Sequence, residues 1–261
     1  MQTPNPAPGV QIADLLGDTA FARRVRHRRD TLEPGEGLRR IARVFADRPQ
    51  RILQELADVA RELCAADSAG ISVEEVGESK HDFRWVATSG RYKLLQNATL
   101  PYDFAPCGIS LARGKPQLLR VGQPFFDLLG VNADLVTDGM LIPWQVEDIR
   151  GTIWVVAHSA TEAFDHDDYE NVQSLADFAA IAVRHQRQQA LLIERASAEA
   201  RAVIVNELAH EINNPLQAIT NLLFIESQGT GEAKALAAEL AREIQRLTNV
   251  VVKLLVTTAR R

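Results

Sequence analysis

Gly139-Met140-Leu141-Ile142-Pro143-Trp144-Gln145-Val146, then Glu147-Asp148-Ile149-Arg150, then Gly151-Thr152-Ile153-Trp154-Val155-Val156-Ala157-His158, is the segment that decides the fold. Its two ends are rich in β-branched and aromatic residues and its polar middle is short. Two strands joined by a hairpin-like break are therefore predicted. Strand signals of the same kind stand upstream at 69–73, 83–88 and 117–121. Further out, Leu38, Ile41, Val44 and Phe45, then Ile52, Leu53, Leu56, Val59, Ala60 and Leu63, recur at three- and four-residue steps. That spacing predicts two amphipathic helices, with Pro49 between them. Between 88 and 117, Pro101, Pro106, Gly108 and Gly114 predict loops around one short helix at 109–113, and such loops often build pockets. Residues 164–183 read as helix again. Strands and helices alternate irregularly and the late strands are hairpin neighbours, so the class is α+β with an antiparallel sheet and flanking helices, not repeated βαβ units.

The chain has 261 residues, which fits two modules. At 46% hydrophobic and 24% charged it has ordinary globular usage. Net charge is −5 with a pI near 5.7, so no nucleic-acid partner is expected. The one basic cluster, Arg23, Arg24, Arg26, His27, Arg28 and Arg29, lies in a proline-rich start read as a flexible leader over 1–36, and is taken as a solvated face. Cys64 and Cys107 are too few for a disulfide framework and lack zinc-site spacing, which implies a reducing compartment and no metal. No run approaches the ~18 apolar residues of a membrane span, and Met1-Gln2-Thr3-Pro4-Asn5-Pro6 has neither the basic start nor the apolar stretch of a signal peptide, so a cytoplasmic protein without membrane contact is expected.

Beyond Val183 no glycine, proline or aromatic residue appears until Pro215. Ile204, Leu208, Ile212, Leu216, Ile219 and Leu223 then recur at steps of three and four, an apolar face expected to be buried. Asn206, Glu207, His210, Asn213, Asn214 and Gln217 fall opposite, with His210 central. After Gly229-Thr230-Gly231, a second amphipathic helix carries Leu236, Leu240, Ile244, Leu247, Val251 and Leu254. Two such helices make a hairpin, and two hairpins bury both stripes as a four-helix bundle. A homodimer is expected.

Two strings carry resemblances. Leu63-Cys64-Ala65-Ala66-Asp67-Ser68-Ala69-Gly70-Ile71-Ser72, Ala105-Pro106-Cys107-Gly108 and Arg150-Gly151-Thr152-Ile153-Trp154-Val155-Val156-Ala157-His158, in their order of elements, resemble a GAF sensory domain over 37–185. His210-Glu211-Ile212-Asn213-Asn214-Pro215-Leu216 resembles the phosphoacceptor motif of two-component sensor histidine kinases, within a HisKA-type dimerisation hairpin over 204–261. A helical linker, 186–203, joins them. The resemblance implies a protein-histidine kinase portion in which the sensor controls phosphorylation of His210 and transfer to a response-regulator aspartate. It makes Glu211 the partner of the histidine ring and Asn214 the residue that orients a hydrolytic water. No ATP site is visible before Arg261, so ATP with magnesium is expected from a catalytic domain acting in trans or in a longer protein.

The partners expected are a second copy, a response-regulator receiver domain, an ATP-binding kinase domain and an unknown small-molecule signal. The Cys-His pair of bilin-binding relatives and the Asn-Lys-x-Phe-Asp-Glu pattern of cyclic-nucleotide-binding ones are absent. His81 and His158 are weak haem candidates, and Trp85, Trp144 and Trp154 read as core. The competing reading is a dimeric GAF scaffold whose hairpin serves only assembly and carries no phosphate.

Overall fold

A computed structural model describes residues 5–25, 31–77, 80–226, 237–242, 244–249 and 251. The chain divides into two units, Met1–Arg187 and Gln188–Arg261.

In the first unit, seven strands form one sheet in the order β1-β5-β6-β7-β2-β3-β4. They are β1 (Val10–Asp14), β2 (Ser68–Val76), β3 (His81–Gly90), β4 (Thr99–Pro101), β5 (Gln117–Val121), β6 (Asp138–Val146) and β7 (Ile149–Ala157), each antiparallel to its neighbours. The hairpin that decides the class is tighter than expected. Val146 pairs with Ile149, so Glu147-Asp148 alone turn the chain, with Glu147 at φ +53°.

Period-two alternation sends successive side chains of β7 to two different cores. Ile153, Val155 and Ala157 join one; Trp154 and Val156 join the other. Apolar residues are needed on both faces, which is why β6 and β7 read as nearly continuous hydrophobic runs. On the first face lie α1 (Pro34–Asp47), α2 (Ile52–Leu63) and the start of α5 (His166–Glu226), through Ile41, Leu56, Val59, Val172 and Ala176. The second face carries α3 (Pro106–Arg113) and α4 (Gln123–Leu129), through Cys107, Phe125 and Phe126. One irregularity decides what reaches that second face. Ile71 pairs with Ala87 but Ser72 with Trp85, leaving Val86 as a bulge, so Phe83 and Trp85 point to the second core while Ala87 points to the first.

Part of the expected leader is structured. β1 pairs along the whole of β5, Phe21 is buried, and Arg24 leaves the basic cluster to pair with Asp138. Arg24 Nη1 and Nη2 donate to the two Asp138 carboxylate oxygens at 2.7 and 3.1 Å, with side chains 6% and 2% exposed. The expectation of a solvated charge face is therefore corrected at Arg24. A guanidinium can be buried when a carboxylate meets it in bidentate geometry. Arg26 to Arg29 lie outside the described residues.

α5 starts on reciprocal caps. Asp165 Oδ1 accepts the N–H groups of Asp167 and Asp168, and Asp168 Oδ2 accepts that of Asp165. The helix continues without interruption to Glu226, through Pro215. Every residue from 187 to 204 is exposed. In the second unit, 237–242 and 244–249 are also helical, while the Gly229-Thr230-Gly231 turn lies outside the described residues.

In this single chain only part of the expected apolar face is covered. Ile204, Leu208, Ile212 and Ile219 are exposed, whereas Ala209 is buried and Asn213, Leu216 and Leu223 are half-buried. Leu216 and Leu223 belong to the predicted row, so the covered line departs from it only where Ala209 and Asn213 take the place of Leu208 and Ile212. Two packed helices cover only a narrow strip of each other, and the wider apolar face of this one stays open in a single copy. Ala237 and Ile244 are the buried residues of the second helical stretch.

Candidate functional site

His210, Glu211 and Asn214 are all exposed on α5. His210 and Asn214, four residues apart, lie one above the other on one helical face, and Glu211 is adjacent. Ala209 and Asn213 bracket them on the covered side. The predicted trio is thus brought together at solvent. Asn213, expected beside His210 on the outer face, instead has its side-chain Oδ1 buried without a hydrogen-bond partner. At Pro215 the backbone offers no N–H, yet helical conformation persists for eleven further residues, to Glu226.

A second candidate lies on the sheet's second face. Trp85, Tyr92, Cys107, Phe125, Phe126 and Trp154, with aliphatic side chains from β5, β6 and β7, line an apolar cavity of about 50 Å³. Its aromatic wall depends on a glycine. A Cβ on Gly70 would stand 2.3 Å from Trp154 Cζ2, so the indole lies across the bare backbone of β2. There Trp154 meets Trp85 with centroids 4.9 Å apart, and Tyr92 stacks on Trp85 at 5.8 Å. The Nε1–H groups of Trp85 and Trp154 are buried and have no hydrogen-bond partner.

Two buried polar clusters flank this wall. Ser72 and Thr152, paired across β2 and β7, approach within 2.6 Å through their hydroxyls, and the Cys107 sulfur lies 3.5 and 3.4 Å from them. Burial pushes the Cys107 thiol up, against the opposing hydrogen bonds from Ser72 and Thr152, so it stays protonated and is a poor nucleophile. His158 Nδ1 lies 2.8 Å from the Leu135 carbonyl, which can only accept, so that nitrogen donates. Its Nε2 then accepts from the Ser68 hydroxyl at 2.8 Å, and Ser68 Oγ accepts the Tyr92 N–H at 3.2 Å. Both ring nitrogens of His158 are thus engaged within the protein. His81 bonds Glu74 at 2.7 Å and stacks on Tyr102 at 3.8 Å. Burial, with a smaller contribution from Asp134, raises the Tyr92 phenol above its ordinary value, and its hydroxyl donates to the Asp134 carbonyl. Among the described residues, no group of three His, Cys, Asp or Glu side chains is placed to hold a metal ion, and no helix is long and apolar enough to cross a membrane.

Compared with known proteins, the chain matches no protein-family model and no curated protein. It is similar to solved structures. One is the GAF domain of a phosphoenolpyruvate-protein phosphotransferase from Coxiella burnetii, at 15% identity and TM-score 0.48, covering 62% of this chain and 99% of that one. Another is the phycoerythrobilin-bound GAF domain of a cyanobacterial phytochrome, at 17% identity and TM-score 0.42, covering 59% of this chain and 95% of that one. A third is free methionine-R-sulfoxide reductase from Neisseria meningitidis in complex with its substrate, at 16% identity and TM-score 0.45, covering 64% of this chain and 99% of that one.

The sequence points to the trio on α5 and to pocket-building loops between 88 and 117, which supply Tyr92, Leu100, Pro106 and Cys107 to the cavity, but not to the strand residues that complete it. Its lining comes from elements scattered between Trp85 and Val156, and no local string brings them together. The usable signal was Gly70 opposite Trp154, where a small residue faces a large one across neighbouring strands.

Proposed function

We propose that this chain is the sensor and phosphoacceptor portion of a histidine-kinase signalling protein, with a GAF-type domain upstream of a dimerising hairpin. The observation that carries the proposal is the exposure of His210 on a continuous helix, beside exposed Glu211 and Asn214. A neutral imidazole nitrogen on a rigid helix can attack the γ-phosphorus of ATP in line. A nitrogen–phosphorus bond forms as the bond to the ADP oxygen breaks, and the protein's chief task is positioning. Glu211 accepts the proton or hydrogen bond of the other ring nitrogen, keeping the attacking one free. Asn214, one turn away, orients water for the opposing hydrolysis of a phosphorylated partner regulator, in which water takes the phosphoryl group as the aspartyl oxygen leaves. ATP, with magnesium to offset phosphate charge, comes from a separate catalytic domain. The exposed apolar row Ile204, Leu208, Ile212 and Ile219 supports assembly as a homodimer.

That same row would also serve a scaffold that never carries phosphate. The separating experiment supplies the purified chain with ATP and a histidine-kinase catalytic domain. Acid-labile label on the wild type, lost in His210→Gln, is expected. Absence of label from the wild type with a catalytic domain that phosphorylates its own substrate would leave the scaffold.

A further inference from the structure

Another cavity, of about 320 Å³, opens at the edge of the sheet on its first face, and its size lies within the range of pockets that hold small molecules. Side-chain alternation along β5 builds its floor. Leu119 joins the second core, so Leu118 and Arg120 point to the first face, together with their partners on β1, Ala13 and Gln11. There α1, α2 and α5 cover the central strands, but Gln11, Ala13 and Arg120 stay exposed. Asp18 and Glu162 stand at the border of the space. The Asp18 carboxylate is fixed, because its Oδ1 accepts the N–H groups of Ala20 and Phe21 at 2.7 and 2.9 Å. Arg24 and Asp138 also line the cavity but neutralise each other in their buried pair. Among the described residues Arg120 has no carboxylate partner. A simple anion entering here would meet the carboxylates of Asp18 and Glu162 beside the Arg120 guanidinium, and a simple cation would meet that guanidinium. A molecule carrying both charges satisfies both sets.

We infer that this cavity binds a small zwitterion, with its carboxylate on the Arg120 guanidinium, its ammonium toward Asp18 and Glu162, and an apolar body over Ala13 and Leu118. The site deepens the sensor reading of the first unit, by naming a ligand class and its point of entry, and rests on that reading. It adjoins the start of α5. Asp138 Oδ2, which holds Arg24 at the cavity, also accepts the N–H groups of Ala163 and Phe164 at 2.8 and 3.4 Å, and Arg24 Nη1 donates to the Phe164 carbonyl at 2.8 Å. Asp165, the next residue, caps the helix that carries His210. A ligand that steadies the segment from Asp18 to Arg24 thereby steadies the connection into α5.

The test is isothermal titration calorimetry of the full chain with two zwitterions, leucine, whose charges are close together, and 6-aminohexanoate, whose charges are far apart. Each is compared with the same molecule stripped of its ammonium, 4-methylpentanoate and hexanoate, and stripped of its carboxylate, 3-methylbutylamine and pentylamine. Saturable binding of at least one zwitterion is expected, about tenfold or more tighter than either of its single-charge counterparts, with a loss of similar size in Arg120→Gln and in Asp18→Asn. Both variants should fold, since Arg120 is exposed and the amide oxygen introduced by Asp18→Asn still accepts the Ala20 and Phe21 N–H groups. The bound zwitterion should also slow hydrogen exchange at the Ala163 and Phe164 N–H groups.

No saturable binding of either zwitterion, equal binding of the single-charge compounds, or affinity unchanged in either variant overturns the assignment. Binding without slower exchange at Ala163 and Phe164 overturns the link to α5. Labelling of His210 is measured separately, with no zwitterion present. A failed titration with His210 labelling intact removes the ligand site alone, whereas zwitterion binding without His210 labelling removes the signalling role.

Discussion

Gly70 and Trp154 act as a pair, since the indole occupies the place a side chain on β2 would take. A Cβ there would also lie 2.7 Å from the Ala87 carbonyl, which belongs to backbone and cannot swing away. Gly70→Ala should therefore cost about 1–3 kcal/mol in urea unfolding. It should also disturb the Trp85 and Trp154 indole signals while sparing Trp144. Arg24 gives a second residue-scale case. Arg24→Met leaves the Asp138 carboxylate buried beside the N–H groups of Ala163 and Phe164 but without its cation, an expected loss of about 3–5 kcal/mol. Arg24→Met with Asp138→Asn should lose much less, because no charge is stranded; equal losses would show that the ion pair matters only through packing. Cys107 gives a pH prediction. Its thiol is raised in the fold above the ordinary value of 9.0, so the stability it contributes is full below that value and falls as pH rises past it, when only the unfolded chain ionises freely. Thermal melts of wild type and Cys107→Ser should diverge less above pH 9 than at pH 7, and Cys107 should resist thiol reagents until unfolding.

Among the elements, β5 depends on the segment that precedes the first helix. β1 pairs with all five residues of β5, whereas β6 pairs only with Gln117 and Leu118. Removing residues 1–16 should speed hydrogen exchange by at least tenfold at Gly122, whose N–H donates to the Gly9 carbonyl, and at Arg120, which pairs with Gln11 and whose N–H points to the same side, and leave β2 and β7 protected. Unchanged exchange would make β1 ornamental.

This strand also marks where sequence reading stopped. Val10-Gln11-Ile12-Ala13-Asp14 offers only two strong strand formers after a proline-rich start, and its partner lies more than a hundred residues away. α4 and β4 were missed for a related reason: at seven and three residues they are too short for a period to show. The central strands were legible because both their faces are buried, so β5 appears at its expected bounds and β6 and β7 begin within two residues of theirs. The trio on α5 was legible because His210, Glu211 and Asn214 are neighbours on one helix, where spacing alone fixes geometry. The cover that one chain gives to this helix was less legible, since Ala209 is small and the larger Leu208 and Ile212, exposed in the single chain, dominate the hydrophobic pattern.

For the molecule as a whole, the decisive feature is that α5 begins in the sheet-bearing unit and carries His210 in the other. At its exit from the first unit it is held by the Arg187–Asp148 ion pair and by Gln186 Nε2 donating to the Pro49 carbonyl at 3.2 Å. After that its residues are exposed as far as 204. A continuous helix transmits rotation, and each inserted residue turns everything beyond it by about 100°. If the sensor governs His210 through this helix, alanine insertions after Gln188 should change His210 phosphorylation in a cycle. One and two residues should alter it by tenfold or more, three and four bring it partly back, and seven restore it almost fully, because seven residues complete nearly two turns. Circular dichroism would confirm that the helix survives each insertion. Phosphorylation that stays constant across the series, with helicity intact, would mean that the first unit governs His210 by some route other than the phase of this helix, or does not govern it at all.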